Sequence, residues 1–256
     1  MNALLPEIEV FFLVFVRIIT LFVLVPVFNH RAIPMTVRIA LALVFTVSLI
    51  PQVPIIQIEI STAAGYVFLI GKEVLTGIIL GFATEFIFHA VRFAGQIISF
   101  LMGFSMVIAF DPEVKQQISI ISRIKSITAI TLFLIIDGHF LLLEAISRSF
   151  EIIPLVGMKM SGDVVPYLVR LSADVFVIAL QIAGPILVML LLTNVGLGIL
   201  ARTVPQMNVF IVGFPLTISV GFFALVFTYP TFSQYFRGLV MTLRTTLGTL
   251  LHALAG

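Results

Sequence analysis

Apolar residues run through this chain in seven long blocks, at about 10–28, 39–58, 66–91, 93–110, 126–145, 175–201 and 209–229. None alternates at the period of two that lipid-facing barrel strands require, and lone strands in lipid leave backbone groups unpaired, so helix is the predicted state throughout. Two uncharged stretches, Val175 to Ala201 and Thr203 to Phe236, each exceed the ~20 residues that cross a hydrocarbon layer. Polar punctuation separates the blocks: Asn29-His30-Arg31 with Pro34, Pro51 and Pro54, Asp111-Pro112, and the stretch PLVGMKMSGDVVP at 154–166, which reads as a loop. The fourth block is marginal. Its eighteen uncharged residues include Gly95, Gln96, Ser99, Gly103 and Ser105, so it reads equally as a span or as a re-entrant, cavity-lining segment. Six or seven spans are expected.

Composition turns that pattern into a class. Hydrophobic residues make up 61% and charged residues 10%, against about 45–50% and about 25% in soluble domains, so the chain is an all-α integral membrane protein. A net charge of +2, with Lys and Arg scattered singly, argues against a nucleic-acid partner. Without cysteine there is no disulfide framework or thiolate metal site. MNALLPEIE lacks the basic n-region of a cleaved signal peptide, so the N-terminus is expected to be retained. For six spans, loop Lys and Arg number six on one side and seven on the other, which leaves orientation open. Trp is absent and Tyr numbers four, so aromatic belts are thin, and both features point to helices facing protein.

Ionisable groups inside apolar blocks are functional suspects. Arg17 sits in the first block, where it needs a partner or water; a structural ion pair and a transport role are the two readings. Glu85, His89 and Arg92 stand at i, i+4 and i+7 on one helical face, as a self-neutralising stripe or a proton relay. Asp137-Gly138-His139, with Glu144 following, places acid and imidazole at a permitted helix kink. Gly77 and Gly81 form a small-xxx-small pair that lets another helix approach. Zinc-protease, phosphate-loop and nucleophile-elbow signatures are missing, and His30, His89, His139 and His252 are too dispersed for a ligand set. No catalytic residue, metal site or cofactor is predicted.

Two further stretches remain. In GILARTVPQMNVFIVGFPLTISVG, residues 198–221, Arg202 is the only charge between Asp174 and Arg237, followed by Pro205, Gln206, Asn208 and Phe210. It reads as a polar hinge whose side chains bond the carbonyls that Pro205 frees, with a second break at Gly213 and Pro215. In LMGFSMVIAFDPEVKQQ, residues 101–117, Met102, Gly103, Phe104, Met106 and Phe110 lead into Asp111-Pro112. Together with Arg31-Ala32-Ile33-Pro34 and Gly138-His139, in that order along the chain, these stretches resemble the FliR family of flagellar export-gate proteins.

The resemblance implies a function outside the reach of composition. It implies a subunit that assembles with FliP, FliQ and FlhB-type proteins in a helical funnel at the flagellar basal body of the bacterial inner membrane. Unfolded flagellar subunits would pass through that gate. It also implies one membrane domain over 1–256, built of helical hairpins, with a FliP-like part to about 125 and a remaining part ending in a FliQ-like hairpin. The segment 101–117 would then plug the closed channel, although Gln117-Ile118-Ser119-Ile120 departs from the family pattern, in which a proline follows. The rivals are an injectisome export-gate subunit, a proton-coupled transporter using Glu85, Asp137 or Glu144, and a purely structural scaffold.

Overall fold

The structure, a computed structural model, describes residues 5–30, 33–53, 63–104, 119–155, 157–206 and 208–256. Those residues form eight α-helices and no strand: α1 (Leu5–Leu24), α2 (Met35–Leu49), α3 (Ala63–Leu101), α4 (Ile120–Ile135), α5 (Gly138–Ile152), α6 (Val164–Thr203), α7 (Val209–Phe227) and α8 (Tyr229–Ala255). A 3-10 turn at Ile50–Gln52 follows α2. The all-α membrane class expected from the apolar blocks holds, and the stretch 154–166 contains the loop between α5 and α6.

Among the described residues, four stretches are long and apolar enough to cross a membrane: Met35–Gln52, Ala64–Leu101, Val164–Thr203 and Val209–Phe227. A fifth arises if α4 and α5, bent by 69° at their break, count as one. This is fewer than six or seven for two reasons. Block 66–91 and the fourth block as far as Leu101 belong to one helix, α3, because Arg92 is a good helix former and no proline interrupts it. The first block falls in α1, which carries Glu7, Glu9 and Arg17 and is too charged to count as a span.

Two other expectations are corrected. The second break at Gly213 and Pro215 is not there, since α7 runs through both. Pro215 lies in the second turn, where it forgoes one hydrogen bond without ending the helix. The C-terminal stretch, which lies beyond the last of the seven apolar blocks, is α8, a helix of 27 residues. Phe232, Phe236, Val240, Leu243, Leu247, Leu250 and Leu254 recur along it at spacings of three and four and are all buried. That is an amphipathic stripe, diluted by Arg, Thr and His, and a search for uncharged runs passes over it.

The described helices divide into two compact units. The first comprises Met1–Phe86, Phe133–Ser172 and Val240–Gly256; the second comprises Ile87–Leu132 and Ala173–Leu239. Within the first, the Gly77 and Gly81 pair brings α3 onto α1: a Cβ at Gly77 would stand 2.8 Å from the Arg17 carbonyl oxygen, and one at Gly81 2.8 Å from Leu24 Cβ. The loop after α5 closes the end of α8, because the Lys159 and Ser161 N–H groups donate to the Leu254 and Ala253 carbonyls. Those are final-turn acceptors with no partner inside their own helix. Within the second unit, aromatic pairs Phe88–Phe236 and Phe93–Phe176 join α3 to α8 and α6. Lys125 is buried with its ammonium 4.0 Å from the centre of the Phe232 ring.

Candidate functional site

The chain leaves α3 through a built turn. Gly103 adopts φ 87°, its N–H donates to the Phe100 carbonyl at 3.1 Å, and the Phe104 N–H reaches back to the Ser99 carbonyl at 3.2 Å. This pair of bonds with a left-handed glycine satisfies two terminal carbonyls and stops the helix. Met102 is fully buried against α7, at 0% exposure. Its side chain occupies the space a Cβ would need at Gly221, whose ideal position lies 2.6 Å from Met102 Cγ and Cε. Thr217 Oγ1 donates to the Met102 carbonyl at 3.3 Å. A Cβ at Gly103 would approach the Phe214 ring to 2.9 Å, so glycine is required there by backbone angle and by space. Beside the turn lies an apolar cleft of about 360 Å³, lined by Leu101, Asn194, Leu197, Phe210, Gly213 and others. Of the residues expected in the plug, Met102, Gly103 and Phe104 therefore belong to this turn. Met106, Phe110, Asp111 and Pro112 lie outside the described residues, as do Arg31 and Ala32.

The polar stretch after α6 is simpler than expected. Pro205 stands two residues beyond the last helical residue, Thr203, so it ends a helix and does not kink one. Arg202 and Gln206 are exposed, while Asn208 caps α7 by accepting the Phe210 N–H on Oδ1 at 3.1 Å. Asn208→Ala is expected to lower stability by about 1 kcal/mol, with Asn208→Ser retaining most of it. Thermal unfolding in detergent measures both.

Arg17 has the partner its burial demands. Its Nε donates to Glu73 Oε2 at 2.6 Å, with both side chains almost wholly buried. Its Nη1 donates to the Ser149 carbonyl, Ser149 Oγ and the Ile153 carbonyl at 3.0, 3.2 and 3.1 Å. The Phe150 ring covers the guanidinium at 4.2 Å. One side chain from α1 thus ties α3 to the end of α5. Sequence reasoning missed Glu73, because it lies beside Lys72 in GKEV and looks locally neutralised.

Glu85, His89 and Arg92 lie along α3, with His89 exposed and Glu85 and Arg92 half-buried; the Arg92 carbonyl accepts Ser122 Oγ at 2.8 Å. Asp137 forms the bend before α5 with φ 59°. The kink permitted by Gly138 exists, but the Asp137 side chain makes no capping bond. Glu144 pairs with Arg148 and Arg244 on α5 and α8. Among the described residues no group of three His, Asp or Glu could hold a metal ion.

What this geometry offers is a walled, apolar helical scaffold with structural ion pairing, and known proteins show the same sequence character over nearly its full length. The family model for bacterial export proteins, family 1, matches residues 8–243. A protein of Pectobacterium carotovorum subsp. carotovorum called flagellar biosynthetic protein FliR is 36% identical over 220 residues, covering 86% of this chain and 84% of its own. The Bacillus subtilis strain 168 protein of the same name is 36% identical over 232 residues, 88% of each. The Escherichia coli K12 one is 30% identical over 227 residues, 89% of this chain and 87% of its own. With a family match over most of its residues and these relatives alongside, this chain belongs to the bacterial export proteins, family 1.

Proposed function

We propose that this chain is a non-enzymatic wall subunit of the flagellar type III protein export gate in the bacterial inner membrane. One observation carries the reading. The outer face of α6 is apolar and exposed from Val165 through Val169, Phe176, Leu180, Val188, Val195 and Ile199. At 1.5 Å per residue this stripe is about 50 Å long, whereas a hydrocarbon core is about 30 Å thick. Lipid alone cannot cover it, which supports cover by further helical subunits. Companions of the FliP, FliQ and FlhB types fit that requirement, and the flagellar name of the relatives favours a flagellar gate over an injectisome one. A proton-coupled transporter would not require such companions.

In this reading the turn at Met102–Phe104 is the fixed base of the plug, and the side chains beyond it close the channel to everything but a departing unfolded subunit. The base is anchored by Thr217 and Gly221 on α7, which supports the reading for Met102–Phe104. Combined Ala substitution of Met102, Phe104 and Phe110 is expected to leave the complex assembled and raise leakage of small ions across the cell membrane severalfold. Ion flux into vesicles bearing the purified complex measures this, and flux equal to wild type removes the plug from the reading. Pull-down of the tagged chain tests the wall role separately: recovery as a monomer or homo-oligomer, with cells remaining motile after deletion of the gene, would overturn it.

A further inference from the structure

We propose that Arg148 and Arg244, with His252, bind the phosphate of an anionic phospholipid where α2 reaches the end of its apolar stretch. Arg148 on α5 and Arg244 on α8 both pair through Nη2 with a single atom, Glu144 Oε1, at 2.9 and 2.6 Å, and Arg244 donates a hydrogen bond to it. One carboxylate thus serves two guanidiniums and leaves a net positive charge before His252 is counted. Arg244 uses one of its five donors on Glu144 and Arg148 uses none in a hydrogen bond there, and the two side chains remain 56% and 59% exposed. Glu151, one turn further along α5, forms no ion pair among the described residues. These groups line a cleft of about 80 Å³ whose other wall is apolar, including Leu247 and Leu251. That is room for a few waters or one phosphate group.

Depth identifies the ligand class. Ser147, next to Arg148, donates to Gln52 Oε1 at 3.2 Å, and Gln52 is the last residue of the Met35–Gln52 stretch. The exposed face of α2, with Leu41, Val44 and Val47, is apolar up to that point. On this proposal the exposed face of α2 meets lipid, and the arginine pair stands where that apolar face ends, at the level of the phosphodiesters. Basic clefts between helices at this level take anionic headgroups, and paired guanidiniums match phosphate oxygens.

The test uses the full chain solubilised with its co-purifying partners, titrated with phosphatidylglycerol or phosphatidylcholine and followed by native mass spectrometry and thermal unfolding. Wild type is expected to retain phosphatidylglycerol preferentially. Arg148→Gln with Arg244→Gln should weaken it about tenfold or more, the loss of one or two charge-assisted hydrogen bonds, while phosphatidylcholine binding stays unchanged. Glu144→Gln should hold phosphatidylglycerol at least as tightly as wild type. Equal retention by wild type and the double variant overturns the proposal. So does weaker retention by Glu144→Gln, which decides the matter even where the double variant fails to assemble. Inorganic phosphate protecting as well as the lipid at matched concentration would assign the site to a free anion. Loss of a co-purifying protein from the double variant with lipid retention unchanged would assign it to a protein carboxylate.

Discussion

Replacing Arg17 by Met should lower stability by about 3–5 kcal/mol, the cost of leaving a buried carboxylate without its counter-charge. Glu73 is as deeply buried as Arg17, and no water can replace the guanidinium without opening the packing of α1 on α3. The same substitution removes donors from the Ser149 and Ile153 carbonyls where α5 ends. The decisive comparison is the double variant Arg17→Met with Glu73→Leu. A buried pair costs desolvation that its attraction only partly offsets, so removing both charges together should recover most of the lost stability. Thermal unfolding in detergent and the steady-state level in cells provide the readouts. A double variant as unstable as the single one would mean that the bonds to α5, not the ion pair, carry the effect. Restored assembly with export still abolished would give Arg17 and Glu73 a role in transport; restored export is the expected result.

Gly95→Val is the second large effect, with an expected loss of about 3 kcal/mol or more from overpacking against backbone. An added Cβ at Gly95 meets Ser122 Cα and lies 2.9 Å from Ser122 N, so the start of α4 must move as a body. That movement breaks the bond from Ser122 Oγ to the Arg92 carbonyl as well. Gly71→Ala is the control, since nothing lies within 4 Å of its added methyl; on helix propensity alone it should be neutral or stabilising by up to about 1 kcal/mol. Unfolding midpoints of the two variants compared with wild type check the pair. A Gly95→Val protein as stable as wild type would refute the close crossing of α3 and α4.

Glycines show how much of the packing was legible. Gly77 and Gly81 announce a close approach by their spacing, but the spacing does not say that α1 is the partner. Gly95 and Gly221 carry no signal at all, because their reason is a neighbour distant in sequence: Ser122 for one, Met102 for the other. The same holds for charge. Arg17 is conspicuous in an apolar run, whereas its counter-ion hides beside Lys72, and only the fold separates Glu73 from that local neighbour.

By itself the sequence determined the class. Long uncharged runs admit one backbone state in lipid, and that follows from the unsatisfied hydrogen bonds of every alternative. It also placed the break at Asp137-Gly138, since local angles act within a few residues, whereas Pro205, read as a hinge, stands beyond the end of α6. Tertiary structure decided the rest. It merged two runs through Arg92 into one helix, and it carried α7 through Pro215. It drew α8 out of a mixed polar stretch, because its stripe has meaning only against buried neighbours. It chose the counter-ion for Arg17 and set two arginines on one carboxylate. Each of these depends on contacts between residues far apart in the chain, whose energies no local pattern contains.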